Sequence, residues 1–592
     1  MNRFPMWILG FGRMKYFKCQ AMISSVKMVF DVVIRGGRII DGTGNPWYRA
    51  DIGVEGGRIA KISPTPLKDA EVIVNASELL VCPGFVNLHS HSDSTILAHN
   101  RAENCLSMGL VTELVGSCGG SVAPATEEYR EKFESWVLLE VEQDWLTLAE
   151  WKQRLETKGI GINIAPLVGH GTVRGCVMGA EGEGGERVVP SDEEMAGMMA
   201  LVESAMEDGA FGLSTGLTYA PGRNALTGEI IELAKVVAGH GGLYSSHIRC
   251  EADRLIEATR EFVEICEKAG VRGTISHHKA MGRNNFGKVC ETLRIVERAR
   301  AKGVNIIVDL YPWRHGGMTK SLGRMFKREF PNGPSIKTRE ELLQSLRDPE
   351  TWEKMKAAVK SAREREMEKH ERRRAEMEEN RGWTTTPSSV SEEGYVIYSR
   401  NRPELQGMTF GELAESLGKE DFLDAIRELL IADEGYTLSG IYPYSEEDIR
   451  TIMAYPWSAI STDQGAIDAS KLSLQAAADA LATQHPRGWG TYPKILGKYV
   501  REERVLSLEE AIRKMTSLPA LFIGLQNRGL VREGFWADLV VFDPETVASG
   551  ASYGDPYGRP KGIHYVLVNG VIAVDRGELK GALAGKVLEH GI

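Results

Sequence analysis

Two histidines separated by a single residue, in NLHSHSD, are the first side chains of this chain whose spacing could do chemistry. On an extended strand, residues two apart point to the same side, so the imidazoles of His89 and His91 face one volume. A lone histidine is more often a hydrogen-bonded core residue, but a pair at strand spacing favours metal binding. We therefore predict that His89 and His91 are metal ligands.

Three further donors lie at the ends of apolar runs. Cys118 ends VTELVGSC, His247 ends GGLYSSH, and His277 lies in VRGTISHH. Cysteine is among the most buried residue types, so Cys118 considered alone could be an inert core thiol. Together with the histidines it completes a set of nitrogen and sulfur donors that suits zinc or a similar transition ion. We expect Gly119 and Gly120 to allow the tight turn that brings the sulfur inward.

A carboxylate, Asp463, ends the run WSAISTD. Facing a metal pocket, such a group can accept a proton from activated water and later deliver it to a leaving nitrogen. The alternative is a structural aspartate that caps the next helix. We predict the catalytic role, and hence metal-assisted hydrolysis.

These side chains need a scaffold that brings distant parts of the chain together. Apolar runs of strand length, each followed by helix-period sequence, cover residues 84–91, 111–118, 162–171, 210–216, 241–247, 271–278, 304–312 and 457–463. Such alternation indicates a parallel sheet covered by helices, and eight repeats are the number that closes a barrel. We predict a TIM-like (β/α)8 barrel, whose C-terminal strand ends carry the chemistry.

The two ends of the chain have a different, hairpin-like pattern of short β-branched runs broken by glycine-containing turns. This pattern predicts a small β-sandwich domain built from residues 29–83 and 522–592, around a barrel at 84–521. Residues 1–28 are predicted to be a poorly ordered extension, and an upstream start codon before Met28 explains them better than an organelle presequence does.

The connection between the seventh and eighth runs is far longer than the usual ~2 to 6 residues. We predict an insertion at 316–400. Its middle, 353–382, is dense in both charges and predicts a solvated helix or a mobile segment. Its flanks could form a lid over the barrel mouth.

The composition excludes several classes of protein. The chain of 592 residues has a formal net charge of -10, whereas a nucleic-acid-binding surface would be basic. Its eight cysteines include no CxxC pair, which argues against a disulfide framework. The sequence also has no convincing membrane span or signal peptide. We predict a cytoplasmic protein without nucleic-acid or membrane partners, and leave homo-oligomerisation open.

Nine stretches together resemble the amidohydrolase superfamily, and within it the N-acyl-D-amino-acid deacylases (D-aminoacylases). They are PGFVNLHSHSD, VGSCGGSVAP, APLVGHGTVR, GLSTGLTYAPG, SSHIRCE, ISHHKA, STDQ, HPRGWGTYP and GFWADLVVFDP, and they span nearly everything from Phe30 onward. The cysteine after VGS discriminates this subgroup from hydantoinases and dihydroorotases, which usually use a carboxylated lysine as the bridging ligand. The resemblance implies zinc-dependent hydrolysis of the linear amide of N-acyl-D-amino acids, giving a carboxylate and a free D-amino acid.

The resemblance also implies roles for the metal ligands. Cys118, His247 and His277 would hold a tightly bound zinc, and His89 and His91 would form a weaker second site. Asp463 would be the general base and acid.

Three residues are expected to bind the substrate, which is a small N-acyl amino acid. Lys279 would receive its carboxylate, Tyr311 would polarise the scissile carbonyl, and Arg249 completes the set. A surface salt bridge is the alternative for Lys279, and packing is the alternative for Tyr311.

Several positions depart from the family pattern. Asn87 stands where many members have aspartate before the first histidine, which could alter the orientation of His89. Cys250 follows HIR where aspartate is common, GSCGGS replaces GNCGFS, and STDQ replaces SDG. These differences bear on the substrate more than on the reaction class.

Two other functions remain open. The same site could hydrolyse cyclic amides of the hydantoin or dihydropyrimidine type, or D-dipeptides. A non-catalytic homologue acting as a binding or assembly module is the third reading, although the sequence retains every predicted ligand together with Asp463.

Overall fold

The computed structural model describes residues 29–133, 141–184, 189–316, 320–321, 338–379, 392–440, 442–471 and 485–591. The predicted N-terminal extension, 1–28, lies outside the described residues. Within them, none of the helices combines the length and apolar character needed to cross a bilayer. The seven cysteines that the structure describes are all free.

The strands, in chain order, are β1 (Phe30–Ile39), β2 (Tyr48–Glu55), β3 (Arg58–Ser63), β4 (Ala70–Asn75), β5 (Leu80–Pro83), β6 (Phe85–Asn87), β7 (Leu110–Val115), β8 (Asn163–Pro166), β9 (Val168–Gly169), β10 (Gly212–Gly216), β11 (Leu243–His247), β12 (Arg272–Ile275), β13 (Ile306–Leu310), β14 (Lys320–Ser321), β15 (Tyr395–Tyr398), β16 (Leu438–Gly440), β17 (Ser458–Ile460), β18 (Leu539–Phe542), β19 (Ile563–Val568), β20 (Val571–Asp575) and β21 (Glu578–Leu579).

The α-helices are α1 (Glu103–Ser107), α2 (Glu127–Phe133), α3 (Leu148–Lys158), α4 (His170–Gly184), α5 (Asp192–Glu207), α6 (Thr227–Gly239), α7 (Leu255–Ala269), α8 (Val289–Ala301), α9 (Arg339–Arg347), α10 (Pro349–Glu379), α11 (Phe410–Ser416), α12 (Phe422–Ala432), α13 (Glu446–Ala454), α14 (Arg487–Lys494), α15 (Leu508–Met515) and α16 (Ser517–Ile523). A π-helix, Ile495–Glu502, follows α14 directly.

A ring of parallel strands forms the centre of the molecule. The pairing runs from β6 through β7 to β8, and from β9 through β10, β11, β12 and β13 to β17. β8 and β9 are two segments of the third strand. The ring closes where Ser90 forms a parallel bridge with Gln464 and the Asp463 amide donates to the His89 carbonyl over 3.0 Å. The predicted eight-stranded barrel is confirmed.

The barrel helices form because their apolar residues recur at helical spacing. In α7, Leu255, Ala258, Phe262 and Ile265 are buried against the barrel, so the helix presents one apolar stripe to the core. The helix ends at Gly270, whose φ of 69° is the left-handed conformation that commonly terminates helices. Each such helix fixes the position of the strand end that precedes it.

The small domain joins both ends of the chain in one sheet. Its nine strands have the order β21-β20-β19-β18-β5-β1-β2-β3, with β4 beside β1. The link between the two ends is the antiparallel pair β5 and β18, in which Cys82 faces Val540. A separate apolar cluster that includes Ile52 and Leu539 stabilises this sheet.

The long connection between β13 and β17 contains a unit with its own hydrophobic core. The charged stretch 353–382, predicted as a solvated helix or a mobile segment, is helical through Glu379 in α10, and residues 380–382 lie outside the described residues. The first turns of α10 bury Trp352, Met355 and Val359 in that core. Leu413 of α11 and Leu429 of α12 belong to the same core. The inserted unit therefore extends beyond residue 400, the boundary predicted for it. The predicted boundary came from the dense charge pattern, which is concentrated in α10. The later helices of the unit have an ordinary amphipathic pattern, so the sequence did not distinguish them from the barrel helices.

Candidate metal centre and active site

Three of the predicted histidine ligands surround the sulfur of a fourth predicted ligand, Cys118, and each of the four follows a different strand of the barrel or ends it. The Sγ of Cys118 lies 3.3 Å from Nε2 of His89, 3.7 Å from Nδ1 of His247 and 3.5 Å from Nε2 of His277. The strands that carry them are separated in the chain but parallel in the barrel, so their carboxyl ends share one face. The structure thus brings together donors that lie up to 188 positions apart in sequence (277 minus 89).

The donor atoms fall into overlapping groups in which all atoms lie within 4.8 Å of one another. These groups are His89 with His91 and Cys118, Cys118 with His247 and His277, and His89 with His277 and Asp463. Cys118 belongs to two groups, so its sulfur can contact two adjacent ion positions. The side chain of His91 is 38% exposed whereas that of His89 is fully buried, so the first group opens toward solvent.

Three of the site residues have a backbone conformation that is rare for residues with a side chain. The φ angles of Cys118, His277 and Asp463 are 55°, 36° and 52°, in the left-handed region. Such conformations persist where the surrounding structure enforces them, and they concentrate at functional sites. Here they occur at three residues whose side chains belong to the clusters of possible metal ligands.

The glycine pair after Cys118 only partly behaves as predicted. Gly119 has a φ of 76°, and a β-carbon there would lie 2.6 Å from the amide nitrogen of Gly216. Gly120 has no left-handed φ, and a β-carbon there would meet nothing within 4 Å. The tight turn therefore requires Gly119, and the prediction for Gly120 is wrong because its position has open space.

The protonation states of the donors fit a metal of the zinc type. Burial lowers the pKa of His247 to about 4 and that of His277 well below its usual value, so both imidazoles are neutral and offer lone pairs. Burial and the nearby charges of Asp463 and Glu251 raise the pKa of the Cys118 thiol. A cation beside the sulfur is therefore needed to hold it as a thiolate, and a divalent metal is such a cation.

Glu251 holds the tight half of the centre and was missed by the sequence interpretation. Its Oε1 lies 3.0 Å from Nδ1 of His277 and accepts from Nζ of Lys279 over 2.6 Å, while its Oε2 lies 3.4 Å from Nε2 of His247. One carboxylate thus leaves Nε2 of His277 and Nδ1 of His247 free to face Cys118. The only signal in the sequence is an acid four residues after a histidine, in HIRCE.

Replacing Glu251 by glutamine is expected to weaken zinc binding by about 10- to 100-fold, the usual effect of losing a partner that orients metal-binding histidines. The glutamine amide cannot accept from two imidazoles and an ammonium group at once, so the ring orientations relax. Titration of the metal-free protein with Zn²⁺ against a competing chromophoric chelator measures this affinity.

Glu261→Gln provides the matched control for that titration. Glu261 is also a buried carboxylate paired with a buried cation, Arg249, but it lies on α7 and contacts none of the metal ligands. We expect Glu261→Gln to lower the thermal stability and leave zinc affinity unchanged. Equal affinity in wild type and Glu251→Gln would refute the role of Glu251.

Asp463 is paired with a buried guanidinium. Nη1 of Arg487 donates to its Oδ2 over 2.5 Å, and its Oδ1 lies 3.1 Å from Nε2 of His91. Burial favours the neutral acid, but Arg487 and the hydrogen bonds from His89 and His91 outweigh it and hold the pKa of Asp463 well below its usual value. The carboxylate is therefore ionised at neutral pH. Arg487 begins α14, within the motif HPRGWGTYP, and was also missed.

Lys279 and Tyr311 lie in the site, in a more packed setting than predicted. Lys279 is 7% exposed and its ammonium group is already paired with Glu251. Tyr311 is 4% exposed, and its hydroxyl lies 3.5 Å from that of Tyr444. The roles of Lys279 in carboxylate binding and of Tyr311 in carbonyl polarisation stay predictions.

Arg249 is paired within the protein, and its predicted role in substrate binding stays a prediction. Its guanidinium is 2% exposed and donates to both carboxylate oxygens of Glu261 and to the carbonyls of Arg223 and Ala225. These contacts hold the guanidinium against α7 and the loop beside it. Arg249 therefore fixes the loop that follows β10.

Comparisons with known proteins agree with this geometry. A family model described as "Amidohydrolase family" matches residues 419–574. The D-aminoacylase of Alcaligenes xylosoxydans xylosoxydans is 32% identical over 567 residues, which cover 96% of this chain and 99% of the relative. The N-acyl-D-aspartate deacylase of the same organism is 32% identical over 95% of each chain.

Solved structures point the same way. The N-acyl-D-glutamate deacylase of Bordetella bronchiseptica, complexed with zinc and a phosphonate inhibitor, superimposes with a TM-score of 0.69 at 30% identity and covers 95% of this chain and 100% of that one. A D-hydantoinase superimposes with a TM-score of 0.51 at 15% identity over 94% of this chain and 98% of its own, which supports the fold alone. The chain belongs to the amidohydrolase family, in its D-aminoacylase (N-acyl-D-amino-acid deacylase) branch.

Proposed function

We propose that this protein is a zinc-dependent hydrolase of the linear amide bond in N-acyl-D-amino acids, releasing a carboxylate and a free D-amino acid. The observation that carries the proposal is the convergence of Cys118, His247 and His277 on one point beside the ionised Asp463. Relatives named for D-amino acids, N-acyl-D-aspartate and N-acyl-D-glutamate share 32% identity with the chain, which supports the common reaction and leaves the side chain open.

The ligands divide between two ion positions of different character. Cys118, His247 and His277 would hold one zinc tightly, and His89 and His91 with the shared sulfur would hold a weaker second one. A zinc ion held by these residues would supply a Lewis acid that polarises the acyl carbonyl and makes water a stronger acid near neutral pH. The burial of His247 and His277 and the exposure of His91 support this difference in affinity.

Asp463 would move the proton. Its Oδ1 faces His89 and His91, at 3.4 and 3.1 Å, so it borders the volume in which water attacks the acyl carbon. It takes the proton from the attacking water and delivers it to the amide nitrogen as the carbon–nitrogen bond breaks. A substrate carboxylate sharing the guanidinium of Arg487 would weaken the Arg487–Asp463 pair and raise the pKa of Asp463 toward a working base.

Two cations flank the ring of Tyr311 and could receive the substrate carboxylate. Nζ of Lys279 lies 5.7 Å from the ring centroid and Cζ of Arg487 lies 4.9 Å from it. Each is already paired with one buried carboxylate, so neither cation is left unpaired before the substrate arrives. Lys279 remains the residue predicted for this role, with Arg487 beside it.

The substrate screen that tests the proposal uses purified protein with added Zn²⁺. We expect release of free amine from N-acetyl-D-leucine, N-acetyl-D-aspartate or N-acetyl-D-glutamate, and none from the L-enantiomers. Hydantoin and dihydrouracil report on the cyclic-amide alternative, and a D-dipeptide on the other. Ring opening of hydantoin or dihydrouracil, without amine release from any acylated D-amino acid, would replace the proposal with a cyclic-amide hydrolase. A folded protein that is inactive and contains no zinc would favour a binding module.

A small-molecule substrate and a cytoplasmic location belong to the same proposal. The formal net charge of -10 supports the first, because a nucleic-acid partner would select a basic surface. Fractionation of cells that express the full chain, followed by the amine-release assay on each fraction, tests the second.

A further inference from the structure

A second buried carboxylate lies beneath the exposed half of the metal centre. Glu113, on β7, is fully buried and contacts three side chains of the segment NLHSHS. It accepts from Nδ2 of Asn87 over 3.0 Å, from Oγ of Ser90 over 2.8 Å and from Oγ of Ser92. Ser90 and Ser92 alternate along the strand end with His89 and His91, and Asn87 lies two residues before His89. Glu113 therefore contacts the two serines that alternate with the imidazoles and the asparagine that precedes the first imidazole.

Asn87 uses all its hydrogen-bonding capacity and connects Glu113 to Thr462, which follows the eighth strand of the barrel. Its Oδ1 accepts from the amides of His89 and Thr462 over 3.2 and 3.1 Å. Its Nδ2 donates to Glu113 and, over 2.7 Å, to Oγ1 of Thr462. Because Thr462 directly precedes Asp463, one amide connects Glu113 to a zinc-ligand segment and to the segment of the acid–base residue.

We propose that Glu113 is a positioning residue that sets the His89–His91 side of the metal centre, acting through Asn87, Ser90 and Ser92. Glu251 has the corresponding positioning role in the half formed by His247 and His277. The two carboxylates differ in their partners, since Glu251 is paired with Lys279 whereas the partners of Glu113 are an amide, two hydroxyls and the thiol of Cys105.

The hydrogen-bonding pattern requires one carboxylate and one amide, in either order. Asn87→Asp would face Glu113 with a second carboxylate, and while both groups are ionised neither can donate to the other. Glu113→Gln would either turn its NH2 group toward the NH2 group of Asn87 or present it to the two serine hydroxyls. When both substitutions are combined, the carboxylate introduced at position 87 would accept from the amide introduced at position 113, and the oxygen of that amide would accept from Ser90 and Ser92. The charge count of the network is then unchanged.

This reciprocal exchange provides the experiment. Metal-free protein is titrated with Zn²⁺ against a chromophoric chelator that resolves the first and second equivalents. We expect Asn87→Asp and Glu113→Gln each to weaken the second equivalent by about 10- to 100-fold and the first by much less. The double variant is expected to bind the second equivalent within about threefold of wild type, which is the non-additivity of a directly interacting pair.

Asn163→Asp is the matched control. Asn163 is a buried amide at the amino-terminal end of β8, the end opposite to the metal centre, and its Nδ2 lies 3.3 Å from a buried carboxylate of the small domain, Asp538. This variant also creates a pair of facing carboxylates, so it should lower the melting temperature while both zinc equivalents bind as in wild type. If it weakens the second equivalent as much as Asn87→Asp does, the effect is general destabilisation and the proposal fails.

The remaining outcomes are also decisive. Single variants that bind zinc as wild type does, a double variant that shows the product of the two single losses, or a wild-type protein with no second equivalent would each overturn the proposal. The inference rests on the proposed function only for its relevance to catalysis, because zinc titration needs no substrate. A failed deacylase assay would contradict the proposed function and leave the titration result standing. A misfolded single variant is recognised by circular dichroism, and recovery of fold and zinc binding in the double variant then supports the coupling.

Discussion

Asp463→Asn is expected to lower kcat by about 10²- to 10⁴-fold, the contribution of a positioned general acid–base group. The substitution keeps the size of the side chain, and asparagine tolerates the left-handed backbone at this position, where φ is 52°. The amide can still accept from Arg487, but it cannot take a proton from water and return it to the leaving nitrogen. Zinc binding by Cys118, His247 and His277 should therefore persist while turnover is lost.

The measurement is steady-state amine release together with zinc content. Asp538→Asn is the matched control, because Asp538 is likewise a buried aspartate paired with a buried arginine, Arg528, but lies in the small domain. It should lower stability and leave kcat of the remaining folded protein within about twofold, as expected when no catalytic contact is lost. An Asp463→Asn protein that contains zinc and keeps most of its turnover would remove Asp463 from the mechanism.

The barrel and the ligands could be predicted because each ligand ends an apolar run. A buried parallel strand has a nearly continuous apolar sequence, and a polar residue at its carboxyl end then stands out, as His247 does in GGLYSSH. Because the strands are parallel, the carboxyl ends of all of them lie on one face of the barrel. This is why residues as distant as Cys118 and Asp463 could be assigned to one site.

The carboxylates that hold the ligands could not be predicted in the same way. Glu251 and Glu113 act through contacts set by side-chain direction, which a pattern of residue types does not contain. Glu113 does leave a signal, a charged residue inside the apolar run VTELVG, since acidic side chains are almost never fully buried unless paired. Arg249 shows the same limit of a sequence pattern, because it lies two positions after a ligand and yet its side chain contacts Glu261 on α7.

The sequence also contained no indication that two of the departures from the family pattern are in contact with each other. Asn87 and the threonine of STDQ are 375 positions apart, and the structure joins them by two hydrogen bonds. Each looked like an independent change in the sequence. In the barrel they form parts of one hydrogen-bond network with Glu113.

Cys118→Ala is expected to abolish tight zinc binding and with it more than about 99% of activity, a loss larger than the ~10- to 100-fold effect of an orienting partner. The sulfur lies within 3.7 Å of three imidazole nitrogens, so its removal leaves each ion position without its shared ligand. The histidines alone cannot compensate, because Glu251 holds the rings of His247 and His277 with Nδ1 and Nε2, respectively, facing the sulfur. Both zinc equivalents should weaken together, unlike in the Glu113 variants.

Cobalt substitution measures this directly, since a cysteine ligand gives a thiolate-to-cobalt charge-transfer absorption. The band should appear in wild-type protein loaded with Co²⁺ and be absent from Cys118→Ala. Cys266→Ala is the matched control, because Cys266 is a buried, free cysteine on α7 that packs in the apolar core and takes no part in the metal centre. It should keep the band and full zinc binding while losing some stability to the cavity. If the band persists in Cys118→Ala, the metal is held elsewhere. The thiol of Cys118, which follows β7, is then an inert core residue.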